Sequence, residues 1–468
     1  MVKSHQHLTF FHLFSLISCT LLFLLFFSPP FLFFSQFPVQ SFVSNNISSS
    51  NKKIYSNGNA NINNGGGPCS SITNNTICCD RTSYHTDVCF MRGDVRTHPP
   101  SFSITLYSTS INASLEQSHE LKIKPYTRKW EAFLQDKIEE LSLKVINASP
   151  SAPILHCDIH HDAPALFFSA GGYTGNLFHA FNNGILPLYI TSQHLNRRVI
   201  FVVLQDHKWW HTRYHEILSQ LSGYPPIIFS KDEVRTHCFP EAIIGLRFHG
   251  TLTIDPTQMN DRKTAEDFHQ FLDKAYKHRA KRYMHVHAII TDEKPKPRLV
   301  IISRNGSRAI ENEGELVQLG KKIGFHVQVM KPECMELAEI YQVLNSSNVM
   351  VGVHGAGLTH FLFMRPGSVL VQIVPIGVDE LARSCFGEPA EKLGMKYVEY
   401  KIEPRESSLY RKYEDSDPVL SDPESVNGKG WQVTKDVYLE GQNVSLDLQR
   451  IGVHLVRVFQ YVVSLRGL

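Results

Sequence analysis

Between Lys3 and Lys52 the chain has no aspartate, glutamate, lysine or arginine. Such a stretch cannot be an ordinary solvated surface. Within it, residues 8–27 are 20 positions dominated by phenylalanine and leucine. That length crosses a hydrocarbon core of ~30 Å at ~1.5 Å per residue. A cleaved secretory signal would have an apolar region of only ~7–15 residues ending at a small-residue site. Here the run is longer and passes into Ser28-Pro29-Pro30 and further phenylalanine. The expected topology is therefore a short cytosolic tail over residues 1–7, a transmembrane signal anchor over 8–27, and a lumenal body. Lys3 is the one firm positive charge ahead of the anchor.

Charge of one sign is also scarce: the net charge is only +3, too little to imply a nucleic-acid partner. Ligand-spaced metal clusters are missing as well. The 24 histidines are scattered, and Cys78-Cys79 has no zinc-type spacing to a nearby pair. The sole Asp-x-Asp is Asp415-Ser416-Asp417, in a Pro- and Ser-rich loop, where solvated surface is the expected role. No metal and no cofactor are expected.

What is present fits a lumenal protein. Eight cysteines follow the anchor, an even number that permits disulfides of unspecified pairing in an oxidising compartment. Seven sequons begin at Asn46, Asn74, Asn112, Asn147, Asn305, Asn345 and Asn443. Residues 36–68 are rich in Asn, Ser and Gly and cannot bury enough apolar surface to offset ordering entropy, so they are expected to form a flexible stem. A chain of 468 residues is too long for one ordinary core and implies two lobes of roughly 150–200 residues. The expected division is a stem over 28–95, an N-terminal lobe over 96–295, a C-terminal lobe over 296–425 and a helical C-terminal segment over 426–468.

Residues 104–106 and 121–123 are short expected strands, and strand and helix patterns alternate from residue 165 onward. Residues 165–169, 198–204, 227–229 and 243–246 are expected strands, with helices over 176–194 and 209–221 between them. After the Pro-punctuated residues 292–297 the alternation restarts. Strands are expected at 299–303, 325–330, 348–353, 369–374 and 396–400, helices at 311–322, 336–344 and 357–363, and a long C-terminal helix at 447–463. Alternation of this kind implies mostly parallel α/β sheets covered on both faces. Two Rossmann-like lobes facing a cleft, the GT-B plan, fit this order. A periplasmic-binding-type fold fits it too.

Open parallel sheets bind ligands beyond the carboxyl ends of their strands. The strand ending at Val353 is followed by His354-Gly355-Ala356-Gly357 and a helix start, a turn that lets backbone N–H groups approach an anion. His354 can add a hydrogen bond or a proton there. The first strand of the same lobe ends in Ser303-Arg304-Asn305-Gly306-Ser307-Arg308. Two guanidinium forks suit a diphosphate, and a glycan on Asn305 would then fill the cleft, so its sequon is expected to stay unmodified. The first lobe offers Gly171-Gly172-Tyr173-Thr174-Gly175-Asn176 ahead of His179, Asn182 and Asn183, whose helical spacing puts them on one face.

Residues 171–190 (GGYTGNLFHAFNNGILPLYI), 351–375 (VGVHGAGLTHFLFMRPGSVLVQIVP), 386–402 and 406–450 together resemble plant glycosyltransferase family 61. That group includes xylan arabinosyl- and xylosyltransferases and the core xylosyltransferase of N-glycans. The resemblance covers about two-thirds of the chain and implies a GT-B fold, type II Golgi topology, inverting transfer and no required metal. It implies a UDP-pentose donor and a xylan or related glycan acceptor. By position, Arg304, Arg308, His354, Gly355 and Gly357 correspond to its nucleotide-sugar elements. Gly172, Tyr173, Asn176 and Asn183 face the acceptor side. His179 is the preferred catalytic base, and Glu388 in Phe386-Gly-Glu-Pro the second candidate. The chain departs from the family pattern at Asn183, where Asp is usual, and at His360, where Asn is usual. A catalytically silent glycan-binding member and an N-glycan xylosyltransferase remain the alternatives.

Overall fold

The computed structural model describes residue 69 and residues 72–108, 120–148, 154–259, 261–284 and 296–465. The expected tail and anchor, and residues 28–68, 70 and 71 of the expected stem, lie outside these. Among the described residues, no helix is long and apolar enough to cross a membrane.

The second sheet follows the sequence closely. Five strands, β11 (Arg298–Ile302), β12 (His326–Met330), β13 (Val349–Val353), β14 (Val369–Val374) and β15 (Lys396–Lys401), pair in the order β12-β11-β13-β14-β15. Every pairing is parallel. Runs such as VMVGV and VLVQIV are apolar because helices and loops bury both of their faces. The order reverses between β11 and β13, so the loops leaving those two strands diverge and open a crevice at their carboxyl ends. The C-terminal helix Leu448–Leu465 turns Ile451, Leu455, Val458 and Val462 into the core of this same sheet. The segment after residue 425 is thus part of the second lobe.

The first sheet departs from expectation. It has ten strands in the order β4-β5-β3-β2-β10-β7-β8-β9, with β1 on β2 and β6 on β10. These are β1 (Thr76–Asp80), β2 (Val88–His98), β3 (Ser103–Ser108), β4 (Leu121–Ile123), β5 (Leu141–Asn147), β6 (Ile159–His160), β7 (Ala165–Ser169), β8 (Ile200–Leu204), β9 (Ile227–Phe229) and β10 (His237–Ile244). β7, β8, β9 and β10 with β6 make the expected parallel part, and β3 pairs parallel with β5. β2 pairs antiparallel with β1, β3 and β10. β1 and most of β2 precede residue 96, so the folded body begins well inside the residues assigned to the stem. β2 (VCFMRGDVRTH) was hidden by its charges, which sit on positions its neighbours leave partly solvated.

Disulfides pin this added edge. Cys78 and Cys79 are adjacent in β1, where successive side chains point to opposite faces. They therefore take different partners, Cys69 and Cys89. A third bridge joins Cys157 to Cys238.

The lobes are not separate cores. One apolar cluster runs from Phe168 and Phe201 in the first sheet through Phe268, Leu272 and Tyr276 to Tyr341, Leu358 and Phe363 beside the second. Its bridge is the helix Ala265–Met284, absent from the sequence expectation. Tyr276 stacks on Tyr341 with ring centroids 5.0 Å apart.

Candidate active site

The loop after β11 and the loop after β13 meet at the switch point. Gly355, at φ +151°, lies directly under the Arg304 guanidinium, and a methyl group there would collide with it. The positive φ favours glycine at 355, and any larger residue would also displace the guanidinium. Gly357 is under no such constraint: a methyl at that position would sit 3.5 Å from Ile302, an ordinary contact. The turn beyond is the 3-10 helix Ala356–Phe363, whose first N–H groups lack intrahelical acceptors.

Arg308 stands beside Arg304. Neither forms an ion pair with a carboxylate among the described residues, and Arg308 Nε is buried without a partner. Burial lowers the pKa of Arg304, with Glu333 opposing. Burial and the neighbouring Arg304 bring Arg308 down to about 10, against the pull of Glu440. Both stay charged at neutral pH. Two partly desolvated like charges without a counterion make a site that an anion would stabilise.

His354 completes the cluster with a hydrogen bond, not a proton. Burial, then Arg308 and Arg304, lower its pKa to about 3, so the ring is neutral. Its Nδ1 lies 3.0 Å from the Gln372 amide nitrogen, and Gln372 Oε1 accepts from the Tyr397 hydroxyl at 3.0 Å. With Gln372 donating to Nδ1, Nε2 carries the His354 proton. Gln372 is fully buried in the middle of VLVQIV. A lone polar residue in a buried strand was the signal that could have found it.

Across the crevice the helix begins at Leu177, capped by Asn176, whose Oδ1 accepts from Phe178 N at 2.9 Å and His179 N at 3.4 Å. Asn176 thus has a capping role through its Oδ1 and is otherwise exposed. Gly172 has φ +65° and packs against the Tyr126 ring, again a backbone role. Residues Ala180–Ile185 form a π-helical turn, a feature that often marks functional sites. It places His179 Nδ1 2.8 Å from Asn183 Oδ1. Asn182 turns away and accepts from Leu252 N at 2.8 Å, so it does not share the predicted face. Asn183 is buried and orients His179. With Nδ1–H donating to that oxygen, His179 Nε2 is the free acceptor. Burial lowers the His179 pKa, opposed by the Asn183 bond; Arg128 lowers it further and Glu131 raises it.

Glu131 and Arg128 were not visible in the sequence, because they come from an aperiodic loop. The Tyr173 hydroxyl donates to Glu131 Oε1 at 2.7 Å, and Arg128 Nε donates to Glu131 Oε2 at 2.6 Å. The Tyr173 ring lies 4.8 Å from that of His179. Glu388 is elsewhere: it is exposed, begins a short helix, and has Arg383 as a charge neighbour. Phe386, two residues earlier, takes the inward position. Its ring contacts Phe178 at 5.7 Å and His354 at 5.4 Å, joining the two halves of the site.

His360 is buried in the 3-10 helix, its Nδ1 on Gly357 O at 2.9 Å, and burial lowers its pKa to about 4. It is a core residue outside the anion cluster. Asn305 is exposed with its amide on Glu333 at 3.3 Å, so burial gives no reason for its sequon to be blocked. Asp415 is exposed and Asp417 caps the helix Pro418–Ser421, in keeping with a surface role.

The model of glycosyltransferase 61 matches residues 177–371, which contain His179, both arginines and His354. Xylan glycosyltransferase MUCI21 of Arabidopsis thaliana is 50% identical over 401 residues, covering 84% of this chain and 81% of the relative. The chain belongs to glycosyltransferase family 61. Within the family it is also 33% identical over 398 residues to beta-1,2-xylosyltransferase XYXT1 of Oryza sativa subsp. japonica, covering 81% of this chain and 84% of that one. Alpha-1,3-arabinosyltransferase XAT3 of the same species is 36% identical over 376 residues; the match covers 80% of this chain and 63% of that longer protein. The family 61 chain is thus a glycosyltransferase, and its matched region spans both halves of the crevice.

Proposed function

We propose that this enzyme transfers a pentose, xylose or arabinofuranose, from a UDP-sugar to xylan, with inversion at the anomeric carbon. The observation that carries the donor side is the pair Arg304 and Arg308, partly buried, charged and without a carboxylate partner. They would hold the diphosphate and take up charge as it leaves, with the neutral His354 adding a hydrogen bond. No metal is needed for that role. On the acceptor side the attacking hydroxyl oxygen bonds to the anomeric carbon as the bond to UDP breaks, and the hydroxyl proton passes to His179 Nε2. The two-sheet plan supports a GT-B type of enzyme, and three disulfides support a lumenal body in the Golgi, anchored as a single-pass type II protein.

The test is a donor screen. UDP-xylose and UDP-arabinofuranose are each incubated with the protein and xylo-oligosaccharides, and products are separated by mass. Transfer from one donor is expected; folded protein that transfers neither would overturn the proposal.

Two further results are expected. Replacing Gly355 with Ala pushes Arg304 off its position and weakens UDP binding about ten- to a hundredfold, as for one lost charged hydrogen bond of ~1.5–3 kcal/mol. Gly357→Ala, measured by the same calorimetric titration, leaves binding nearly unchanged. The pH–rate profile follows His179. A base must be neutral, and burial lowers this pKa, so the rate holds into mildly acidic solution and falls only below the usual histidine value of ~6.5. Asn183→Asp places a negative charge on Nδ1–H, raises the pKa and moves that acid limb to higher pH.

A further inference from the structure

Beyond the crevice an exposed aromatic stack stands at the end of the same line of contacts. Tyr84 is 66% exposed, and its ring lies parallel to that of Trp130, 13° apart with centroids at 5.3 Å. Large aromatics left in water are informative when they are ordered and grouped. His85 fits edge-on against both rings and is backed by Phe248 at 4.6 Å. The two loops are tied by the backbone bond from Lys129 N to His85 O at 2.9 Å. From the stack the line continues inward. The Arg128 guanidinium lies 4.9 Å from the Trp130 ring and 5.7 Å from that of Tyr173, which touches His179.

The nearby charges are bridged, with one cation in excess. Arg81 and Lys129 both bind Asp87, and Arg128 binds Glu131. With Trp130 stacked on Tyr84 and lying under the Arg128 guanidinium, the platform presents the outer face of Tyr84, backed by Trp130, without a strong field of either sign, which suits an uncharged ligand. A pyranose ring has that chemistry: its C–H face stacks on an aromatic plane while its hydroxyls stay in water.

We propose that Tyr84 and Trp130 form a distal subsite for the acceptor polysaccharide, holding a sugar several residues from the reacting hydroxyl. The proposal rests on the reading of the enzyme as a xylan glycosyltransferase. Occupancy there would lengthen the residence of a long chain and leave a short one unaffected.

The full chain and its Tyr84→Ala, Tyr84→Phe and Trp130→Phe variants are compared with xylobiose and xylohexaose as acceptors. Tyr84→Ala is expected to raise KM for xylohexaose about five- to tenfold, the scale of one lost aromatic contact. KM for xylobiose, KM for the donor and kcat should stay within twofold. Tyr84→Phe keeps the ring and should behave as wild type, and Trp130→Phe should fall between. Equal losses for both acceptors, or no loss for either, would overturn the subsite. So would loss of a co-purifying protein with unchanged KM values, which would assign the platform to a protein partner. If wild type transfers to no xylan acceptor, the function reading fails separately. Titration of xylohexaose without donor then decides the subsite: binding lost in Tyr84→Ala supports it, and unchanged or absent binding overturns it.

Discussion

Removing the positive charges of Arg304 and Arg308 together is expected to abolish donor binding and, at the same time, to stabilise the unliganded protein. Each guanidinium–phosphate bond is worth ~1.5–3 kcal/mol, so each Ala variant should bind UDP about ten- to a hundredfold more weakly. The double variant should lose about a thousandfold or more, with some departure from additivity because the two share one ligand. The stability effect has the opposite sign. Without donor the two cations are partly stripped of water and also repel one another, which together bring Arg308 down to about 10. Deleting one relieves the other, and the melting temperature should rise or hold. A purely structural arginine would do the reverse, losing stability without a specific loss of UDP affinity. Calorimetric titration beside thermal unfolding separates the two.

His179 carries the second large effect. His179→Ala is expected to lower kcat by ~10²–10⁴, the usual contribution of a positioned base, with UDP affinity within twofold of wild type. Asn183→Ala should lower kcat less, since it leaves the imidazole present but unpinned from the 2.8 Å bond at Nδ1. Glu388→Gln is expected to do little, because that carboxylate is exposed and has Arg383 as its charge neighbour. A profile in which Glu388→Gln abolished transfer and His179→Ala did not would reverse these roles. Asn183 also bears on the departure from the family pattern. An Asn at 183 still accepts from Nδ1–H and fixes the ring. What it cannot supply is negative charge to stabilise an imidazolium, so under the proposed role of His179 the change would tune the base without removing it.

The second sheet was legible because its strands are buried on both faces and its turns carry glycine. Periodicity and punctuation therefore coincide, and β14 came out residue for residue at Val369–Val374. The rest of the first sheet was legible in part: residues 104–106 and 121–123 mark β3 and β4. β2 was not, because charged residues interrupt its apolar ones and its length is fixed by β10, a partner far along the chain. The helix Ala265–Met284 could have been found: Phe268, Leu272, Tyr276 and Ala280 recur every fourth residue and are the face it buries. In the site, motifs gave the side chains attached to glycine turns, namely Arg304, Arg308, His354 and His179. Roles within those motifs were harder to assign. Asn176 and Gly172 were read as cleft residues, and the structure adds local roles for them, a helix cap and a backbone turn. Glu131, Arg128 and Phe386 depend on which loops face each other, and no local pattern encodes that.

The central claim is that protein side chains at the switch point, chiefly Arg304 and Arg308, hold the diphosphate of the donor. Titration of the wild-type chain with UDP and with uridine, in a chelating buffer at two salt concentrations, tests it most directly. UDP should bind, more weakly at high salt, and uridine should bind far more weakly or not at all. UDP binding that appears only when a divalent cation is restored, or uridine binding as tightly as UDP, would contradict it.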